Sequence, residues 1–195
     1  MAKLVVVEML SLDGVLQAPG SPDEDRSGGF EHGGWAMPYF DEILGAEAGK
    51  SMAETAAFLF GRKTYDIMAA YWPNQPDGDM FADVLNGLPK YVVSTTLDEP
   101  LAWSGSSLLK GDVAEAVGSL KEELDGNIVV LGSGQLARTL MEHDLVDEFG
   151  LTIHPLLLGP GKRLFDEEGG MRPMRLVDSK TTATGVILAT YRPEG

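Results

Sequence analysis

Ile128-Val129-Val130-Leu131-Gly132-Ser133-Gly134-Gln135-Leu136-Ala137 is the stretch on which the reading of this chain turns. An apolar, β-branched run feeds a turn of small residues that opens a helix. The helix is expected from Gln135 to His143, and a strand from Phe149 to His154 follows it. A strand–helix–strand unit of this length predicts a parallel pair with a right-handed crossover. Backbone N–H groups converge at the start of such a helix, and its dipole adds partial positive charge there. Glycine keeps side chains from holding an anion away from those amides. The same turn also serves as a bare strand-to-helix connection, so taken alone it leaves both readings open.

Gly132-x-Gly134-x-x-Ala137 also spells the dinucleotide fingerprint of doubly wound sheets. The acid expected about 20 residues further on is replaced by Thr152-Ile153-His154-Pro155. Too little chain follows to complete the second half of such a sheet. The turn is therefore suited to a phosphate in a different α/β architecture.

Working outward, Leu4 to Met9 reads as a buried first strand closed by Ser11-Leu12-Asp13-Gly14. Phe58-Leu59-Phe60 is a second strand ended by Gly61, and Lys90 to Ser94 a third. Residues 112–124 form the clearest helix, with Asp112 as N-cap and Val113, Ala116, Val117, Leu120 and Leu124 on one face. Another helix is expected from Pro38, in its first turn, to about Ala53. Thr181 to Tyr191, around Gly185, reads as a hairpin or edge strand. Residues 17–34 hold five glycines, two prolines and the cluster Asp23-Glu24-Asp25. This long loop is either a mobile substrate lid, with Phe30 and Trp35 as its apolar surface, or an unstructured insertion. No repeat or linker divides the chain, so residues 1–195 read as one α/β domain.

The 195 residues include no cysteine, and 30 acids against 15 bases give a net charge of −15. That excludes a disulfide scaffold, a thiolate metal site and a cysteine nucleophile. The acidic balance opposes nucleic-acid binding and anionic lipid. No apolar run reaches the roughly 18 residues of a membrane span, so a cytoplasmic protein is expected. His32, His143 and His154 lack metal-ligand spacing, and no metal site is expected. No Gly-x-Ser-x-Gly elbow is present. Gly159-Pro160-Gly161-Lys162-Arg163 lacks the spacing and hydroxyl of a P-loop.

In this acidic chain the only adjacent cations are Arg62-Lys63 and Lys162-Arg163. The first pair, in Phe60-Gly61-Arg62-Lys63-Thr64-Tyr65, follows a strand and opens a helix, where the dipole disfavours positive side chains. Their placement there points to an anionic ligand. Ser94-Thr95-Thr96 follows the strand Tyr91-Val92-Val93, at the strand end where α/β sheets hold ligands.

Taken in order, these pieces resemble the dihydrofolate reductase-like fold, and within it the reductase domain of bifunctional riboflavin-biosynthesis enzymes. The resemblance rests on Ser11-Leu12-Asp13-Gly14, Phe60 to Tyr65, Lys90 to Ser94 and Leu131 to Gly134. Val146-Asp147-Glu148, leading to His154-Pro155-Leu156-Leu157-Leu158-Gly159-Pro160-Gly161-Lys162, completes it. The match runs from Leu4 to Tyr191. It implies a mostly parallel central sheet flanked by helices, with a cleft for NADPH. Gly61, Arg62, Lys63, Thr64, Ser94 and Thr95 would hold the adenosine phosphates. Gly132, Ser133, Gly134, Gln135 and Leu136 would hold the pyrophosphate. The nicotinamide would lie against Asp13 and Gly14.

The implied activity is an NADPH-dependent reduction of a small heterocycle, resembling 5-amino-6-(5-phosphoribosylamino)uracil reductase of riboflavin biosynthesis. Asp13, Asp41 and Thr152 are the catalytic candidates, the last two for proton relay. For Asp41 a solvated acid in a first helical turn, where the dipole favours it, is the stronger reading. The alternatives are dihydrofolate reduction, or a non-catalytic nucleotide-binding module that keeps the fold. A homodimer is the expected assembly.

Overall fold

Lys3–Ser11 forms β1, inside an eight-stranded sheet, in a computed structural model that describes residues 1–165 and 170–194. The other strands are β2 (Thr55–Gly61), β3 (Lys90–Val93), β4 (Ser106–Leu109) and β5 (Asn127–Leu131). They are followed by β6 (Glu148–His154), β7 (Met174–Thr181) and β8 (Ile187–Pro193). Their order is β4-β3-β2-β5-β1-β6-β8-β7. Every pair from β4 to β6 is parallel, while β8 runs antiparallel to both β6 and β7. Helices cover both faces of the parallel part, which is why its strands read as unbroken apolar runs.

The α-helices among the described residues are α1 (Glu42–Ala53), α2 (Arg62–Tyr71), α3 (Met80–Gly87), α4 (Val113–Glu123) and α5 (Gly134–Glu142). On one face Leu4, Val6 and Leu10 pack with Val117 and Leu120 of α4 and with Leu136, Ala137 and Leu140 of α5. On the other, Val5, Phe58 and Phe60 pack with Tyr65 of α2 and Leu85 of α3. A third cluster joins Val15, Ala18, Phe30, Trp35 and Ala36.

Three expectations change. β5 and β6 are parallel but not neighbours: β1 lies between them, Val5 standing opposite both Val129 and Glu148. β1 is apolar on both faces and takes the shielded place, so the α5 crossover spans two strand positions. The helix expected from Pro38 begins later. Pro38 sits in a short 3-10 turn, Met37–Tyr39, and α1 starts after the extended Asp41, whose carboxylate accepts from Leu44 N at 2.8 Å.

The 17–34 segment is a packed structure. Buried Gln17 donates to the carbonyls of Asp25 and Ser27 and accepts from Lys162 N, and Trp35 Nε1 donates to Gln17 O at 2.7 Å. Lys162 also pairs with Asp25. Among the described residues no helix is long and apolar enough to cross a membrane.

Candidate functional site

Parallel strands point one way, so the C-terminal ends of β3, β2 and β5 lie side by side. The three separate anion motifs of the sequence are therefore brought together. Gly61 ends β2, and its N–H donates to Ser133 Oγ of the β5–α5 turn at 3.0 Å. Thr64 lies against Gly132, where an added Cβ would stand 3.2 Å from Thr64 Cγ2. Gly132 also has a φ of +63°, so a side chain there meets backbone strain as well as a tight contact.

Arg62 reaches across to the β3 end, donating from Nη1 to Thr96 Oγ1 at 2.7 Å. Its Nε lies 3.4 Å from Asp66. Ser94 Oγ accepts from the N–H groups of Thr96 and Leu97 at 3.1 Å each, folding the turn that leaves Thr95 exposed. Lys63 is exposed beside Arg62, with no ion-pair partner among the described residues. Gln135 is exposed, whereas the side chain of Leu136 is in the core, so only its backbone is available to a ligand.

The helix starts divide into two kinds. Asp41, Asp79 and Asp112 cap α1, α3 and α4, and each of these helices also carries an acid in its first turn. The starts of α2 and α5 have neither a side-chain cap nor an acid. The N-cap hydroxyl of α5, on Ser133, is turned instead to Gly61. Two neighbouring helix N-termini thus aim unneutralised amides and dipoles at one place, beside two cations. In a chain of net charge −15, this is a locally positive place with the donors an anion needs.

A gap opens next to it. β5 pairs with β1 only as far as Val7↔Leu131, and Gly132 N donates to Val7 O before the chain turns into α5. In a parallel ladder alternate residues bond to opposite neighbours. The odd-numbered residues of β1 face β5, so Met9 turns its N–H and C=O to a side where no strand continues.

The catalytic candidates lie in three different places. Asp13 accepts from Ser11 Oγ at 2.7 Å, Leu158 N at 3.1 Å and Gly159 N at 2.8 Å, with Arg163 at 3.6 Å. The Ser11 hydroxyl and the two amides hold its carboxyl down at about 2. Asp13 is thus an ionised anchor tying the β1 turn to the 156–163 segment. Gly14, at the same turn, has a φ of +82° and nothing within 4 Å of an added Cβ. Asp41 caps α1 and also accepts from Thr184 N at 3.3 Å; the Leu44 amide lowers its pKa. Thr152 is opposite Met9 in β6, on the same face.

Two titratable groups of β1 and β6, Glu8 and His154, are buried, and of these Glu8 escapes the sequence reading. Glu8 is 4% exposed, its Oε1 has no partner among the described residues, and burial pushes its carboxyl up to about 8. His154 is fully buried; its Nδ1 faces the carbonyls of Leu10 and Thr152 at 3.3 and 3.1 Å, which makes that nitrogen the donor. Trp35 and Tyr39 pack edgewise on its ring. A charged residue inside an apolar strand was the available signal for Glu8. Among the described residues no cluster suited to a metal ion occurs.

Residues 2–188 match the family model described as the RibD C-terminal domain. The uncharacterized protein YyaP of Bacillus subtilis (strain 168) is 31% identical over 140 residues, which cover 70% of this chain and 73% of YyaP. YwjB of the same organism, also uncharacterized, is 28% identical over 134 residues, covering 69% and 72%. Among solved structures, a putative riboflavin biosynthesis protein from Shewanella sp. PV-4 superposes with a TM-score of 0.71 at 22% identity, over 100% of both chains. A pyrimidine reductase-like protein from Corynebacterium diphtheriae gives 0.66 at 13% identity, over 100% of this chain and 92% of its own.

Proposed function

Because the chain belongs to the RibD C-terminal domain family, we propose that it is an NADPH-dependent reductase of a small heterocyclic substrate. The observation that carries this reading is the pair of uncapped helix starts, α2 and α5, flanked by Arg62 and Lys63. The names of the solved relatives, one tied to riboflavin biosynthesis and one to pyrimidine reduction, support the choice of a heterocycle resembling a phosphoribosylaminouracil.

The residues fit the cofactor in order along the sheet. From β3 to β1 is three strand steps, about 14 Å at ordinary spacing, with positive groups at one end and the gap at the other. Arg62, Lys63, Ser94 and Thr95 would hold the adenosine phosphate. The amides following Gly132 and Gly61 would hold the pyrophosphate. Met9 offers one donor and one acceptor to the carboxamide, beside Gly14. The bound group supplies a hydride. The chain's part is to orient the ring, exclude water and position the acceptor.

Arg62→Ala with Lys63→Ala tests the cofactor assignment. NADPH affinity, read by tryptophan emission and energy transfer to the nicotinamide, should fall about tenfold or more, with a much smaller change for NADH. Equal losses for both would remove these residues from the phosphate site.

A non-catalytic binding module is the second reading, favoured by one observation: Asp13 and Asp41 are both engaged by backbone amides of their own chain. Sustained NADPH oxidation with a panel of pyrimidines and pterins separates the two.

A further inference from the structure

Glu8 is the one acid of β1, and the proposed function leaves it unused. Side chains alternate along a strand, so Glu8 projects from the face of Val6 and Leu10, the face that α5 covers. Since Gly132 N bonds to Val7 O, Glu8 stands level with the turn where β5 gives way to α5. Leu151 of β6 is opposite it on the other side. Val6, Leu10 and Leu151 are all core residues, so apolar side chains flank Glu8 along β1 and across to β6, and the turn lies on its remaining side.

The charged groups on the elements packed around Glu8 act elsewhere. Lys3 and Glu142 are exposed, Arg138 donates to Arg163 O, and Glu148 pairs with Arg192. His154 is in register with Ser11, on the opposite face. Desolvation is accordingly the cause of the raised pKa, about 8, and the buried carboxyl is neutral at pH 7. A neutral acid so placed answers to any charge set beside it.

The ring of a nicotinamide dinucleotide is uncharged when reduced and positive when oxidised. Resting on the reading that this ring occupies the gap beside Met9, we propose that Glu8 senses the redox state of the bound dinucleotide. It keeps its proton beside the reduced ring and releases it beside the oxidised one. The protein therefore holds the oxidised form more tightly as pH rises, while its hold on the reduced form is unaffected by Glu8.

The test is the ratio of the dissociation constants of NADP⁺ and NADPH from about pH 6.5 to 8.5, in wild type and Glu8→Gln. Titration of the phosphates is common to both ligands and cancels in the ratio. In the wild type the ratio should fall about fivefold or more across this range, the ceiling being tenfold per pH unit. In Glu8→Gln it should stay flat. Independently of the variant, NADP⁺ added to weakly buffered wild-type protein near pH 7.5 should release protons to an indicator dye, and NADPH should not. Binding of both dinucleotides with a constant ratio and equal proton release overturns the proposal alone. Binding of neither overturns the cofactor reading, and this proposal with it.

Discussion

Asp13 and Glu8 lie five residues apart and are driven in opposite directions. Donors from Ser11, Leu158 and Gly159 hold Asp13 at about 2, below its ordinary 3.8. Its stabilising contribution is present above pH 3.8 and lost as pH falls through 2. Asp13→Asn should therefore cost about 2 kcal/mol at pH 7, and the gap between variant and wild type should close near pH 2 in denaturant titrations. Glu8 is raised by burial from 4.5 to about 8. The unfolded chain ionises first, so stability falls as pH rises from 4.5 to 8, by several kcal/mol in order of magnitude. Glu8→Gln should raise the melting temperature at pH 8 and flatten this slope. An unchanged slope would mean that Glu8 is ionised in the fold.

At the scale of elements, the capping pattern separates structure from function. Three helices are closed by aspartates, and two are left open where their ends meet. Ser133→Ala would leave the Gly61 amide without its acceptor, and loss of that tie between two turns should weaken NADPH and NADH alike by several-fold. Cofactor titration of the purified variant reads this directly. Lys90 closes a different end. Fully buried, it donates from Nζ to the carbonyls of Leu85, Asn86 and Leu88 and lies 4.7 Å from the Trp103 ring. Lys90→Met leaves three carbonyls at the end of α3 without this donor and should cost about 3 kcal/mol, measurable by chemical denaturation.

For the whole molecule, the ends of the sheet differ. β4 begins one side half-buried, while β7 ends the other as an edge strand exposed along nearly its whole length, with Leu176 and Val177 outward. An uncovered edge with apolar side chains is the face on which two chains pair. The expected state is a homodimer through this edge. Sedimentation at micromolar concentration should give twice the chain mass, and Val177→Lys should return a monomer that still binds cofactor.

The positions of the candidate anion-binding residues were legible in the sequence because Gly, Arg and hydroxyl residues stand out at strand ends. Gly61, Arg62, Ser94 and Gly132 are local signals, and each is now found where its strand ends. The apolar runs of β1 and β5, and the Asp112 cap, are equally local, as periodicity and capping always are. What the sequence could not supply were the long-range partners. That β1 slips between β5 and β6 depends on which strand loses most by exposure, a comparison across the entire sheet. That Asp41 caps α1 while gripping Thr184, and that the 17–34 segment folds around Gln17, depend on donors and acceptors up to 145 residues away. Sequence alone determined β1, β2, β3, β5 and β6, the starts of α2, α4 and α5, and the residue types suited to phosphate. Tertiary structure alone decided that Ser94, Arg62 and Gly132 meet at adjacent strand ends and that burial raises the Glu8 pKa, because convergence and desolvation are properties of the packed chain.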